Sequence, residues 1–149
     1  MWWMTIASAL AAGQNFGIGG TAGADSASAV LWSAVAQSAN TGAPGFGSDG
    51  RRVWVVSHQG RVACEAFGEP ESAITACLFE GLPPQREFVG DSDSLAGRLY
   101  QALEAYPCPN VVRENDALSV RLSDEGVQCS RSNGGDRAEY RCTLVVAGR

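Results

Sequence analysis

The chain has no lysine. All eleven of its basic residues are arginines, scattered from Arg51 to Arg149 without a basic block. With a formal net charge of −5, that scatter excludes a polyanionic partner such as DNA or RNA, which is gripped by clustered positive charge. Arginine without lysine, beside abundant alanine and glycine, is the composition of a GC-rich genome rather than a sign of arginine chemistry. Histidine is nearly absent as well: His58 stands alone. No two cysteines come closer than twelve intervening residues, so the close pairs of a structural zinc site are missing. Nor does any apolar run approach the roughly 20 residues that a membrane-spanning helix requires. The residue types therefore imply no metal, no cofactor, no nucleic-acid partner and no transmembrane span.

What is present is a core-forming composition, 45% hydrophobic over 149 residues, and five cysteines. That length suits one domain or two small halves sharing a core. Cys64 and Cys77 enclose twelve residues, and so do Cys129 and Cys142. Each pair has turn-forming residues midway, Gly68–Ser72 in the first and Asn133-Gly134-Gly135-Asp136 in the second. The spacing predicts two hairpins, each pinned by a cross-strand disulfide, with facing residues summing to 141 and to 271. Disulfides persist in oxidising compartments, so the protein is expected to be extracellular or periplasmic. The apolar N-terminus, with Ala7-Ser8-Ala9 and Ala9-Leu10-Ala11, has the small-x-small form of an export cleavage site but lacks a charged lead. A short buried element of the fold is the equal alternative. Cys108, between Pro107 and Pro109, is left over from the two pairs and is expected to be a partly buried free thiol or a link to a second chain.

The order of elements repeats. Residues 13–24 are glycine-rich and read as a loop. A helix is predicted from an Asp25 or Ser26 cap, with Ala27, Val30, Leu31, Ala34 and Val35 on one face. Strands follow over 51–57, 61–67 and 73–79. A second helix starts at Asp93 or Ser94, carries Leu95, Leu99, Ala102, Leu103 and Tyr106 on one face, and stops at Pro107. Strands then follow at 117–123, 126–130 and 138–146. Ser26, Leu31, Trp32, Ala34 and Val35 match Ser94, Leu99, Tyr100, Ala102 and Leu103 at an offset of 68. Val55, Val62, Cys64 and Cys77 match Val120, Val127, Cys129 and Cys142 at an offset of 65. The expected fold is therefore α+β: two tandem helix-strand-strand-strand repeats, over 24–82 and 83–149, after an N-terminal segment 1–23. Two helices would cover one antiparallel sheet of about six strands, with one disulfide per repeat.

Chemistry is scarce. Phe88-Val89-Gly90-Asp91-Ser92-Asp93-Ser94-Leu95 resembles the Gly-Asp-Ser block of the GDSL (SGNH) hydrolases, which implies a serine nucleophile at Ser92 or Ser94. That family also places an Asp-x-x-His downstream to take the serine proton, and no histidine follows residue 58 here. A helix-capping cluster accounts for the same residues. Acidic pairs at Glu69/Glu71 and Asp124/Glu125 read as solvated turns. Trp54, out of phase with Val53 and Val55, and Trp32, off its helix's main stripe and matched by Tyr100, are the candidate binding residues; ordinary core packing on a second buried face is the simpler account of the same positions. The plan of tandem helix-plus-sheet repeats with one disulfide each resembles the β-lactamase inhibitory proteins, which implies an exported, non-enzymatic protein that binds another protein. A small serine-dependent hydrolase and a structural envelope or surface component are the other two expectations.

Overall fold

Serine caps both helices. In the computed structural model, which describes residues 14–19, 26–68, 74–106, 111–114, 117–122, 125–134 and 137–145, α1 runs over Ala27–Asn40 and α2 over Leu95–Ala105. Ser26 Oγ accepts from the Ala29 N–H and Ser94 Oγ from the Gly97 N–H, both at 3.1 Å, satisfying amide donors that the helices themselves leave unpaired. Of the alternative caps, the serines are those observed, and the predicted apolar residues are buried except Tyr106, which is the partly buried C-cap of α2; Ala96, Gly97 and Tyr100 join its buried face.

Among the described residues, ten strands form two five-stranded antiparallel sheets, where about six strands in one sheet were expected. The first contains β1 (Gln14–Gly19), β2 (Phe46–Ser48), β3 (Arg52–Ser57), β4 (Gly60–Phe67) and β5 (Ile74–Leu82), in the order β1-β5-β4-β3-β2. The second contains β6 (Glu87–Gly90), β7 (Val112–Glu114), β8 (Ala117–Leu122), β9 (Glu125–Gly134) and β10 (Arg137–Val145), in the order β6-β10-β9-β8-β7. Each helix therefore lies between the first and second strand of its own sheet's sequence. The extra strands are short or glycine-rich edge elements. β1 falls where a loop was predicted. It is held by pairing with β5, from Gln14↔Leu82 to Gly19↔Ala76, and by burial of Ile18.

The hairpin registers follow the predicted sums. Phe67 faces Ile74 and Cys64 faces Cys77; Gly134 faces Arg137 and Cys129 faces Cys142. Both cysteine pairs are disulfide-bonded, with Cα atoms 4.0 and 4.1 Å apart. Two such bonds are consistent with an oxidising extracellular or periplasmic setting.

The helices pack on each other, and each touches strands of both sheets, so they form a layer between the sheets. This explains why α1 buries so much of its circumference: Val30, Leu31, Ala34 and Val35 are joined by buried Ser28 and Ser38. Ser28 Oγ donates to the Thr75 carbonyl at 2.9 Å, which satisfies the hydroxyl against the sheet. One core cluster unites both helices and both sheets. The rings of Phe79 on β5 and Phe88 on β6 meet at 6.3 Å where the sheets adjoin. Among the described residues, no helix is long and apolar enough to cross a membrane. The N-terminal segment 1–12, Cys108, the Glu69/Glu71 tip and Asp124 lie outside the described residues.

Candidate functional site

An antiparallel sheet with one face on a core should turn a polar face to solvent. The second sheet obeys: Gln128, Ser130, Ser132, Glu139, Arg141 and Thr143 point away from the helices, and Arg141 pairs with Glu87 at 3.0 Å. The first sheet does not. Its outer face carries four exposed large hydrophobic residues, Val56, Phe67, Ile74 and Leu78, each between 41 and 49% exposed.

The strand registers order this face into rows across the strands. The central row is apolar: Gly47, Trp54, Ala63, Leu78 and Gly17 on β2, β3, β4, β5 and β1. On one side lies the row Val56, Arg61 and Glu80; on the other lie Arg52, Glu65, Ala76 and Gly19. Phe67 and Ile74 form a further apolar pair beyond Glu65 and Ala76. Small residues in the middle leave a depression of about 460 Å³, floored by Gly17, Gly19, Ala63 and Ala76.

Trp54 occupies this outer face, opposite buried Val53 and Val55, as its phase implied. Its ring lies over Gly47, so closely that a Cβ there would sit 2.5 Å from the indole. The indole is thus drawn toward the β2 edge, which leaves the Ala63–Ala76 floor open. Trp32 is elsewhere: half-buried on α1, it donates through Nε1 to the Arg51 carbonyl at 2.9 Å. Tyr100 belongs to the core, 2% exposed, with its ring 5.3 Å from that of Tyr140 and under the Arg131 guanidinium. The three aromatic candidates are therefore not brought together. Only Trp54 lies on the apolar face.

Arg61 and Glu80 are hydrogen-bonded and ion-paired across β4 and β5. The hydrogen bond from Arg61 holds the Glu80 carboxyl below the usual glutamate range, and the positive charges of Arg61 and Arg52 add to the effect. A lowered carboxylate pKa gives stability that is present above the unfolded-state value and lost as pH falls through the lowered one. Both groups are solvent-exposed, so the contribution is small.

The Gly-Asp-Ser stretch forms a helix entry. Ser94 is buried and its hydroxyl is occupied twice, donating to the Asp91 carbonyl at 2.6 Å and accepting from Gly97 N–H. Ser92 is exposed in the turn, as is His58 in the turn between β3 and β4. Gly97 lets α2 lie against that turn: a Cβ at this position would be 2.2 Å from the Asp91 oxygen and 2.7 Å from Ser92 Cα, both backbone atoms. Gly97→Ala should therefore destabilise the fold by about 1–3 kcal/mol, the cost of overpacking, despite alanine's higher helix propensity. Urea titration followed by circular dichroism measures it; an unchanged midpoint would mean that the turn shifts freely.

In comparison with known proteins, no family model, no curated protein and no solved structure matches this chain.

Proposed function

We propose that the protein is an exported, non-enzymatic binding protein, an inhibitor or accessory subunit for another protein, and that it binds through the outer face of the first sheet. The observation that carries this reading is the contrast between the two sheets. They share one strand order and each has one disulfide, between β4 and β5 and between β9 and β10. Yet among the described side chains the outer face of the first sheet carries a central apolar row and four exposed large hydrophobic residues, whereas β9 and β10 of the second sheet present polar residues there. Fold stability alone calls for a polar outer face, as the second sheet has, so the apolar residues of the first answer to something outside the fold. Contiguous apolar surface on a soluble protein marks an interaction site.

The same two-sheet comparison supports a duplicated ancestor. The sequence offsets of 68 and 65 then describe one repeat unit, larger than the helix-strand-strand-strand unit read from the sequence because each half also has a leading strand and a short edge strand. The two copies have diverged most on their outer faces, where one copy keeps polar residues and the other presents the binding surface.

Leu78 stands in the middle of the apolar row at 41% exposure. Leu78→Asp should leave the fold intact and weaken capture of the foreign partner by about tenfold or more, since truncating or charging a central interface residue removes at least about 1.4 kcal/mol. Affinity capture from culture supernatant with wild type and variant, followed by titration of the recovered protein, provides the measurement. Equal capture by both would remove the face from the binding surface.

A further inference from the structure

The charges on the apolar face have a pattern that selects an occupant. Glu65 and Arg61 lie on the same strand, β4, at equal distances on either side of Ala63. Four residues of strand separate them, about 14 Å. Consider a second copy laid face to face, related by a two-fold axis running across the strands along the central row. The axis reverses the strand direction and keeps the strand position. It sets Arg61 of one copy over Glu65 of the other, and the reverse, while Ala63 meets Ala63. Arg52 then falls over Val56, and Glu80 over Ala76, so no like charges meet. A two-fold axis along the strands would instead set Arg61 on Arg61 and Glu65 on Glu65. The face is therefore self-complementary in one orientation, and that orientation is the aligned packing that two sheets adopt.

From this the geometry points to a homodimer in which, while no foreign partner is bound, the outer face of the first sheet is covered by the same face of a second copy. The inference rests on reading that face as a protein-binding surface and names its resting occupant. The four charged residues of the two flanking rows, Arg52, Arg61, Glu65 and Glu80, sum to zero, although the chain carries −5. Charge elsewhere on the two copies is screened beyond about 8–10 Å at physiological salt. Five strands about 4.8 Å apart and about 20 Å long give a face near 480 Å², so two copies cover on the order of 1,000 Å², the threshold for a specific contact. The depression over Gly17, Gly19, Ala63 and Ala76 gives the facing side chains room.

Sedimentation velocity tests this over a concentration series. Wild type should sediment at twice the 15.6 kDa chain mass. Glu65→Arg places like charges at both symmetry-related contacts and should raise the dimer dissociation constant by about tenfold or more. Arg61→Glu should do the same. An equimolar mixture of the two variants should restore the dimer, because one chain then carries two arginines over the other's two glutamates. Glu139→Arg, on the outer face of the second sheet, should leave association unchanged. Restoration by mixing also shows that the variants are folded. A wild type that stays monomeric at every concentration overturns the homodimer, as does a dimer indifferent to Glu65→Arg or weakened equally by Glu139→Arg. The foreign-partner reading is judged separately by Leu78→Asp, so a monomer that still loses its partner on that substitution would sink the homodimer alone.

Discussion

Phe79→Ala should destabilise the protein by about 3–5 kcal/mol, the range for truncating a fully buried phenylalanine. Phe79 is 0% exposed on the inner face of β5 and among the largest side chains in the core. It faces Val62 across β4, and its ring meets that of Phe88 on the second sheet. Truncation thus removes apolar burial from the first sheet and a contact that joins the two sheets. Surrounding strands cannot close the cavity easily: Cys77, two residues before on the same strand, is tied by its disulfide to β4. Chemical denaturation followed by tryptophan fluorescence gives the loss. Phe67→Ala is the control, because Phe67 is 49% exposed on the outer face and should cost under about 1 kcal/mol. Equal losses at the two positions would show that the assigned inner and outer faces of the first sheet are wrong.

Much of this arrangement was legible in the chain. The serine caps, the apolar helix faces and the hairpin registers all rest on local signals: a side-chain oxygen that satisfies an orphan amide, a 3.6-residue period, and a turn midway between paired cysteines. What was not legible depends on partners distant in sequence. Asn15-Phe16-Gly17-Ile18-Gly19 has poor strand propensity, and it becomes β1 only because β5 offers a free edge. Phe88-Val89-Gly90 reads as the start of a Gly-Asp-Ser motif, although pairing of Glu87–Gly90 with β10 makes it the edge strand β6. The split into two sheets follows from helices that bury residues toward both sides. The signal for it was in α1, where serine and alanine fill positions that a helix with one wet face would give to charged residues; α1 has none.

The candidate site was half visible. Trp54 could be placed on the face opposite Val53 and Val55 from alternation alone. Leu78 could not be placed at once as an outer residue, because Ile74–Leu82 is apolar on both of its faces. Alternation gives the two faces of a strand but not which one meets the core. The Cys64–Cys77 pairing resolves it here, since both cysteines and the residues in phase with them, Val62 and Phe79, are buried. Tyr100 illustrates the opposite case. Its match to Trp32 places both off the main helix stripe, and only one of them is fully buried: α2 presents Tyr100 to Tyr140 and Arg131 of the second sheet, while Trp32 reaches a loop carbonyl at the rim.

Removing either disulfide by a paired Cys→Ala change should cost about 3 kcal/mol, and removing both about 6, on the loop-closure estimate for rings of this size. Each bond joins residues 13 apart in sequence, across directly opposed strands. Equal loops predict equal entropic contributions, whatever the packing around them. A domain of this length has about 5–15 kcal/mol of stability in all, so losing both bonds should leave the chain marginal or unfolded at 37 °C. The native contacts differ less than the outer faces do: all four half-cystines are 2% exposed or less and face the helix layer, Cys77 Sγ lying 3.6 Å from the Ser28 carbonyl and Cys142 Sγ 3.6 Å from the Ala96 carbonyl. Both alanine pairs should therefore lose the same burial as well as the same loop constraint. Urea midpoints of Cys64→Ala/Cys77→Ala and Cys129→Ala/Cys142→Ala should agree within about 1 kcal/mol, with the four-alanine protein showing the sum. A large inequality would place the stability of the two sheets on different footings, and a four-alanine loss well short of the sum would mean that one bond already restrains the denatured chain for both.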